Sequence, residues 1–402
     1  MGSIASEKLA QAGELVASCG FDVWMTFVRE TAEAGDPVLP LILEGGLTWQ
    51  SALLVTSGGR RTAIVGRYDA DPVRASGDWD EVVGYDQGIR EPLLSWLETT
   101  IPALSQSPRI AINFSKDDDK ADGLSHGMYL LLAEMLRNTR FADALVSAEE
   151  LLGALRAQKS GEEVRRIRGA IAETDRLFDE VGRFAVALRT EREIYDFLQA
   201  RIDDAGLGYA WDRTGNPIVN IGPDSMIGHG IPSPEIALLP GQILHIDLGV
   251  VREGYASDMQ RCWFLPQAEP TRIPEEIERA LAAVNDAISA GAATLRPGME
   301  GWRVDAAGRA VVVERGYPEY KHALGHQVGR TAHDGGTVLG PRWERYGRLP
   351  CQAVQENEVY TLELGVPVDG RGYLGIEEMV RVTAEGCEWL TKRQQELRVL
   401  TH

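Results

Sequence analysis

Residues 245–261 read HIDLGVVREGYASDMQR, and residues 361–379 read TLELGVPVDGRGYLGIEEM. Each is a pair of strand-like runs around a turn, and each run carries a carboxylate: Asp247 and Asp258 in the first, Glu363 and Glu377 in the second. A two-residue turn at Arg252–Glu253 sets the aspartates opposite one another, while Gly254 leaves open a bulged loop with a shifted register. A three-residue loop at Asp369–Gly370–Arg371 sets Glu363 opposite Glu377 and turns Glu378 to the other face. Directly opposed residues stand about 4.5–5.5 Å apart, and like charges at that distance repel. The neighbours Ile246, Leu248, Leu362 and Leu364 are apolar, so each ribbon has a buried face. Buried carboxylates are costly unless a cation or hydrogen bonds hold them. A surface ribbon accounts for either hairpin alone but poorly for both, and together they predict a metal site.

Between the hairpins lies HALGHQVGRTAHDGG, residues 322–336, with His322, His326 and His333. His322 and His326 have the spacing of a helical metal pair, but Gly325 and Gly329 argue for a loop or irregular strand. His326 is the expected ligand, leaving the other two to support the ligands or to transfer protons. Four carboxylates and one imidazole form an oxygen-rich set. It favours two divalent ions, Mn²⁺ first, with Zn²⁺, Co²⁺ and Fe²⁺ compatible. Carboxylates bridging ions about 3.5–4 Å apart suit activation of a shared water. His245 shares a strand face with Asp247; a role beside the site and a core role both stay open.

The chain has 402 residues, which suits two domains, with a boundary before a long helical pattern over 150–190. Ser160 and Glu163 in that pattern fit a capping box. Residues 1–150 alternate strand and helix: strands at 21–28, 51–59, 61–67 and 109–115, helices at 92–104 and 126–139, and a loop at DDDK, 117–120. The formal charge of −19 argues against nucleic acid as the main partner. No leader pattern or membrane-spanning apolar run is evident, so a cytoplasmic protein off the membrane is expected. MGSIAS fits an acylation pattern, but a chance start before an amphipathic helix explains it better. Cys19, Cys262, Cys351 and Cys387 show no paired spacing and are expected to be reduced.

These motifs resemble the pita-bread metallopeptidases, a family of Xaa-Pro dipeptidases (prolidases), aminopeptidases P and methionine aminopeptidases with creatinase as a metal-free relative. The resemblance is strong over residues 155–390. It rests on Asp247-Leu248-Gly249, on Gly254-Tyr255-Ala256-Ser257-Asp258 followed by Arg261, on His326, on Glu363-Leu364-Gly365, and on Glu377. It implies an α+β fold, with a pita-bread catalytic domain at 151–402 preceded by a smaller α/β domain of the creatinase/prolidase N-terminal type at 1–150. It implies Asp247, Asp258, His326, Glu363 and Glu377 as ligands of two metal ions. Within that scheme a hydroxide bridging the ions attacks the carbonyl before proline, and Glu363 relays the proton. It also implies that His229, His322 and His333 act on the substrate or the tetrahedral intermediate.

The run His322 to Asp334 resembles prolidases most, so an Xaa-Pro dipeptide is the expected substrate, and Arg371, with Tyr373 beside it, is the candidate for its carboxylate. Homodimerisation is implied too. The rivals are aminopeptidase P action on longer peptides, lyase or amide-hydrolase chemistry on the same site, and a non-catalytic binding protein. The chain departs from the family at Leu364, Gln327 and Glu378, and at Gly375, where an arginine is usual.

Overall fold

The computed structural model describes residues 3–33, 35–101, 107–228, 230–267 and 272–401. They form two compact units, Met1–Arg156 and Ala157–His402.

In the first unit, α1 (Ile4–Ser18) starts at Ser3, whose hydroxyl accepts from the Ser6 N–H at 3.0 Å, so the opening residues serve as a helix cap. The elements that follow are β1 (Val23–Val28), α2 (Leu39–Ile42), β2 (Ser51–Thr56), β3 (Arg61–Gly66), α3 (Arg67–Ser76), β4 (Glu81–Tyr85), α4 (Arg90–Thr100), β5 (Ile110–Ile112), α5 (His126–Leu136), β6 (Leu145–Ser147) and α6 (Glu149–Ala157). The strands form one sheet in the order β4-β3-β2-β1-β5-β6. β2 runs antiparallel to both neighbours, and the other pairs are parallel. Alternation in β1 explains why both faces are apolar. Val23, Met25 and Phe27 pack with Leu93 of α4 and Leu132 of α5, while Trp24 and Val28 pack with Leu9 of α1 and Leu151 of α6.

The second unit opens with α7 (Gly161–Phe184), so the expected single helix over 150–190 is in fact two. The chain breaks between Ala157 and Gly161 because Ser160 is extended there and, with Glu163, closes the capping box. Next come α8 (Glu191–Asp204), β7 (Gly208–Tyr209), β8 (Ile218–Ile221), β9 (Ile243–Leu248), β10 (Val250–Arg252), β11 (Tyr255–Ala256), β12 (Met259–Phe264), α9 (Glu275–Thr294), α10 (Gly301–Glu314), β13 (Val359–Val368), β14 (Gly372–Thr383), β15 (Gly386–Trp389) and β16 (Arg398–Val399). The main sheet runs β13-β14-β12-β9-β8, with β15 on β14 and β16 on β12. Leu362, Leu364 and Val366 of β13 and Leu374 and Ile376 of β14 pack with Val284 and Ile288 of α9 and Val304 of α10. Burial of that face turns the alternate residues, Glu363 and Glu377 among them, the other way.

The two hairpins differ in how they meet the expected register. β13 and β14 pair Val368 with Gly372 and Glu363 with Glu377 across a three-residue loop in which Gly370 has φ 69°. In the first hairpin the aspartates are not opposite each other. Arg252 pairs with Tyr255 and Asp247 with Gln260. The turn is Glu253–Gly254, with φ 51° and 77°, one residue later than expected. Positive φ at both central residues is the hairpin turn that matches strand twist, and Gly254 permits it. The pairing moves by two residues, so Asp247 and Asp258 keep their faces.

Candidate metal centre

The ladder puts Asp247 of β9 opposite Gln260 of β12, Gln260 opposite Glu377 of β14, and Glu377 opposite Glu363 of β13. Four strands thus contribute one row of side chains to one face, with neighbours about 4.5–5.5 Å apart. Asp258 precedes Gln260 by two residues, where the chain enters β12. His326 joins from a non-helical stretch strapped to β13. The Thr361 N–H donates to the His326 carbonyl at 2.9 Å, the Glu363 N–H to the Leu324 carbonyl at 2.7 Å, and the His326 N–H to the Thr361 hydroxyl at 3.2 Å. The His326 Nε2 then lies 3.5 Å from Glu363 Oε1 and 3.7 Å from Asp258 Oδ2. One ligand atom from each of Asp258, His326 and Glu377 falls within 4.8 Å of the others. The His326 Nδ1 faces the Gln327 carbonyl at 3.4 Å, an orientation that leaves Nε2 for the cluster.

The electrostatics of this group are those of acids held together against their repulsion. Burial, then the charges of Asp258 and Glu363, hold Asp247 well above the carboxylate range. Burial and Glu363, against the pull of His326, push Asp258 up to about 7. Glu377 is raised well above its ordinary value by burial and by all three other acids. Burial works against ionisation of Glu363 too, but the hydrogen bond from His326 and the charges of His322, His326 and His333 outweigh it and lower its pKa. Burial would depress His326, yet Glu363 and Asp258 raise it. Asp247 Oδ1 and Glu377 Oε2 are buried without a hydrogen-bond partner among the described residues. Unpaired buried carboxylate oxygens in one row, beside an imidazole nitrogen, fit divalent cations, whose charge reverses each of the upward shifts.

The other expected residues divide into those near this row and those away from it. The His322 Nδ1–H donates to the Ala323 carbonyl at 2.7 Å. The His333 ring meets that of His326 edge-on, with centroids 4.2 Å apart. Tyr373 lies on the face of Glu377, edge-on to His245 at 5.3 Å. His229 lies outside the described residues. Arg371 is not brought to the acids. It sits six residues before Glu377, about 20 Å along an extended strand. There it pairs with Glu276 at 3.1 Å and donates to the Gly241 carbonyl.

Sequence reasoning missed three supports. Gln260 donates to Glu363 Oε2 at 2.9 Å and accepts from His245 Nε2 at 3.0 Å, which gives His245 a place beside the site. Arg309, paired with Asp305 at 2.8 Å, donates to the carbonyls of Tyr320 and His322, and Asp305 accepts the Leu324 N–H. On the reverse face, Arg261 pairs with Glu378 at 3.0 Å, both fully buried. The i, i+4 spacing of Asp305 and Arg309 was the available signal for the second.

The model of metallopeptidase family M24 matches residues 165–384. The chain belongs to that family. An uncharacterized peptidase of Staphylococcus aureus is 26% identical over 342 residues, covering 85% of this chain and 87% of the relative. Among solved structures, an Xaa-Pro dipeptidase from Bacillus anthracis superposes with a TM-score of 0.72 at 21% identity, covering 98% of this chain and all of the other. An X-Pro aminopeptidase from Thermotoga maritima gives 0.68 at 23% identity, with both chains covered in full. The fold is therefore the expected α+β pita-bread architecture with its smaller N-terminal domain, and the protein is a metal-dependent peptidase. No helix among the described residues is long and apolar enough to cross a membrane.

Proposed function

We propose that this peptidase hydrolyses the Xaa-Pro bond of short peptides, dipeptides first, at two divalent ions held by Asp247, Asp258, His326, Glu363 and Glu377. The carrying observation is that ligand atoms of Asp258, His326 and Glu377 lie within 4.8 Å of one another, with Glu363 3.5 Å from His326 and unpartnered carboxylate oxygens on Asp247 and Glu377 in the same row. Divalent ions bound there would acidify a water and polarise the scissile carbonyl. Glu363 is the candidate base. Its neighbours keep it ionised, and the Gln260 amide holds its second oxygen. His322 and His333 are candidates for contact with the substrate or the developing oxyanion, and so is His229 by resemblance. Manganese as the metal, a homodimer and a cytoplasmic site belong to the same proposal.

A second reading, removal of the first residue from longer Xaa-Pro peptides, draws support from Arg371. Its pairing with Glu276 removes the one arginine proposed for a free substrate carboxylate. Hydrolysis of Ala-Pro and Ala-Pro-Ala by manganese-loaded protein, with a chelator control, tests both. Chelator-sensitive cleavage of Ala-Pro supports the first, and cleavage of the tripeptide alone supports the second. Cleavage of neither leaves other chemistry on the same residues, or a binding protein.

A further inference from the structure

His333 sits on a loop whose two ends are tied together. The Asp334 N–H donates to the Gln327 carbonyl at 2.9 Å, and Gln327 bridges to Tyr360 of β13. The Val328 N–H donates to the Val359 carbonyl at 3.0 Å, and the Gly329 carbonyl accepts the Ala256 N–H at 2.7 Å. At the far end the Asp334 carboxylate meets the Lys159 ammonium at 3.0 Å, and both side chains are shut off from solvent. A Cβ on Gly329 would collide with that carboxylate and stand 2.9 Å from Lys159 Cε, so the pair fills space that only glycine leaves. Lys159 is itself anchored. Its N–H donates to the Asn357 carbonyl at 2.9 Å, and the capping box of Ser160 and Glu163 starts α7 at once behind it.

Stability does not account for this pair. Both charges give up their hydration, and an apolar pair of the same shape would hold the fold as well or better. What the ion pair adds is direction, because the carboxylate is drawn to one place beside a fixed ammonium. Asp334 follows His333 directly, and the His333 ring lies edge-on to that of His326 with centroids 4.2 Å apart. A shift of the Asp334 backbone therefore moves the His333 imidazole against the row of acids.

We propose that Lys159 is a positioning residue: through Asp334 it holds the His333 imidazole beside His326, in place for the substrate or the developing oxyanion. This rests on the role proposed for His333 and adds the residue that sets its geometry.

The test is the double variant Lys159→Met/Asp334→Leu of the full-length protein, in which leucine keeps the branching of aspartate and no buried charge is orphaned. Melting temperature and manganese affinity should stay near those of the parent. With manganese, kcat on whichever of Ala-Pro and Ala-Pro-Ala is cleaved should fall at least about tenfold, with KM changed less than about twofold. In a His333→Ala background the same two changes should cost less than about twofold more, because the imidazole they displace is gone. The imidazole ¹H–¹³C spectrum of zinc-loaded protein gives a readout free of turnover, with the His333 signal identified by its loss in His333→Gln. That signal should shift in the double variant, while that of His126 in the first unit stays. Should the double variant not fold, Lys159→Met alone, which leaves Asp334 to take up a proton, carries the same readouts. Parental kcat, an undiminished loss in the His333→Ala background, or an unmoved His333 signal overturns the positioning. If the parent protein cleaves neither peptide, the proposed hydrolysis fails and the spectrum alone decides the positioning.

Discussion

At the scale of single residues, the metal-free protein holds carboxylates that resist ionisation, and this has a measurable sign. The folded-state pKa of Asp258, about 7, lies above the ordinary value of 3.8. Its contribution to stability is therefore complete below about pH 4 and is lost as pH rises through 7. A shift of some three units corresponds to roughly 4 kcal/mol at most. Bound metal takes the ionised form, so the stability gap between loaded and chelated protein should widen from pH 4 to 8. Urea titrations with manganese or chelator at each pH measure it; a gap that is flat or narrows with pH removes Asp258 from the ligand set. Glu377→Gln should stabilise the chelated protein at pH 8, by roughly 1–2 kcal/mol, because the amide is neutral without the proton that the buried carboxyl must take up to avoid ionising. The same change should weaken manganese affinity by tenfold or more, and calorimetry showing wild-type affinity would refute the assignment. The facing of Glu363 and Glu377 was legible because loop length and strand alternation fix it. The Asp247–Asp258 facing was misread because Glu253 adopts positive φ and moves the turn by a residue. Gln260 went unseen because a neutral amide among acids gives no charge signal.

At the scale of elements, His326 is placed by a stretch with no regular structure, which raises the question of what fixes it. The backbone straps to Thr361 and Glu363 set one side. The buried Arg309–Asp305 pair sets the other, gripping Tyr320, His322 and Leu324 by their backbones. Arg309→Leu leaves Asp305 charged, buried and unpaired, and should cost about 3–5 kcal/mol of stability. It should also weaken manganese binding, since His326 loses its anchor. Chemical denaturation and calorimetry report the two effects, and a loss under 1 kcal/mol with intact affinity would show the loop to be held from β13 alone. The sequence showed α4, α5 and the core strands through their apolar runs. It hid α3, which contains Pro72 and is largely polar, and β4, whose residues are only partly buried. It fused α6 and α7 because apolar spacing continues through a break that only Ser160 marks.

At the scale of the whole molecule, the five candidate ligands all lie within Ala157–His402, while the first unit builds its sheet and both its apolar clusters from its own residues. A ligand stabilises what it binds by RT ln(1 + [L]/Kd), about 2.7 kcal/mol at a hundredfold excess over Kd. That stabilisation should therefore be local. Hydrogen exchange followed by peptide mass spectrometry, with manganese and with chelator, should show slowed exchange in β9, β12, β13 and β14, which carry the row of acids. Amides of β1, β2 and β5 should exchange at the same rate in both conditions, because no ligand of the row comes from their unit. The stretch 322–336 should slow most, since its order rests on a few straps to β13 rather than on a ladder. Equal protection of both units would mean that they open as one cooperative body, and that metal binding at the acid row governs the stability of the entire chain. Protection of neither would mean that the acids bind no ion at all, and the charge argument for the centre would fail with it.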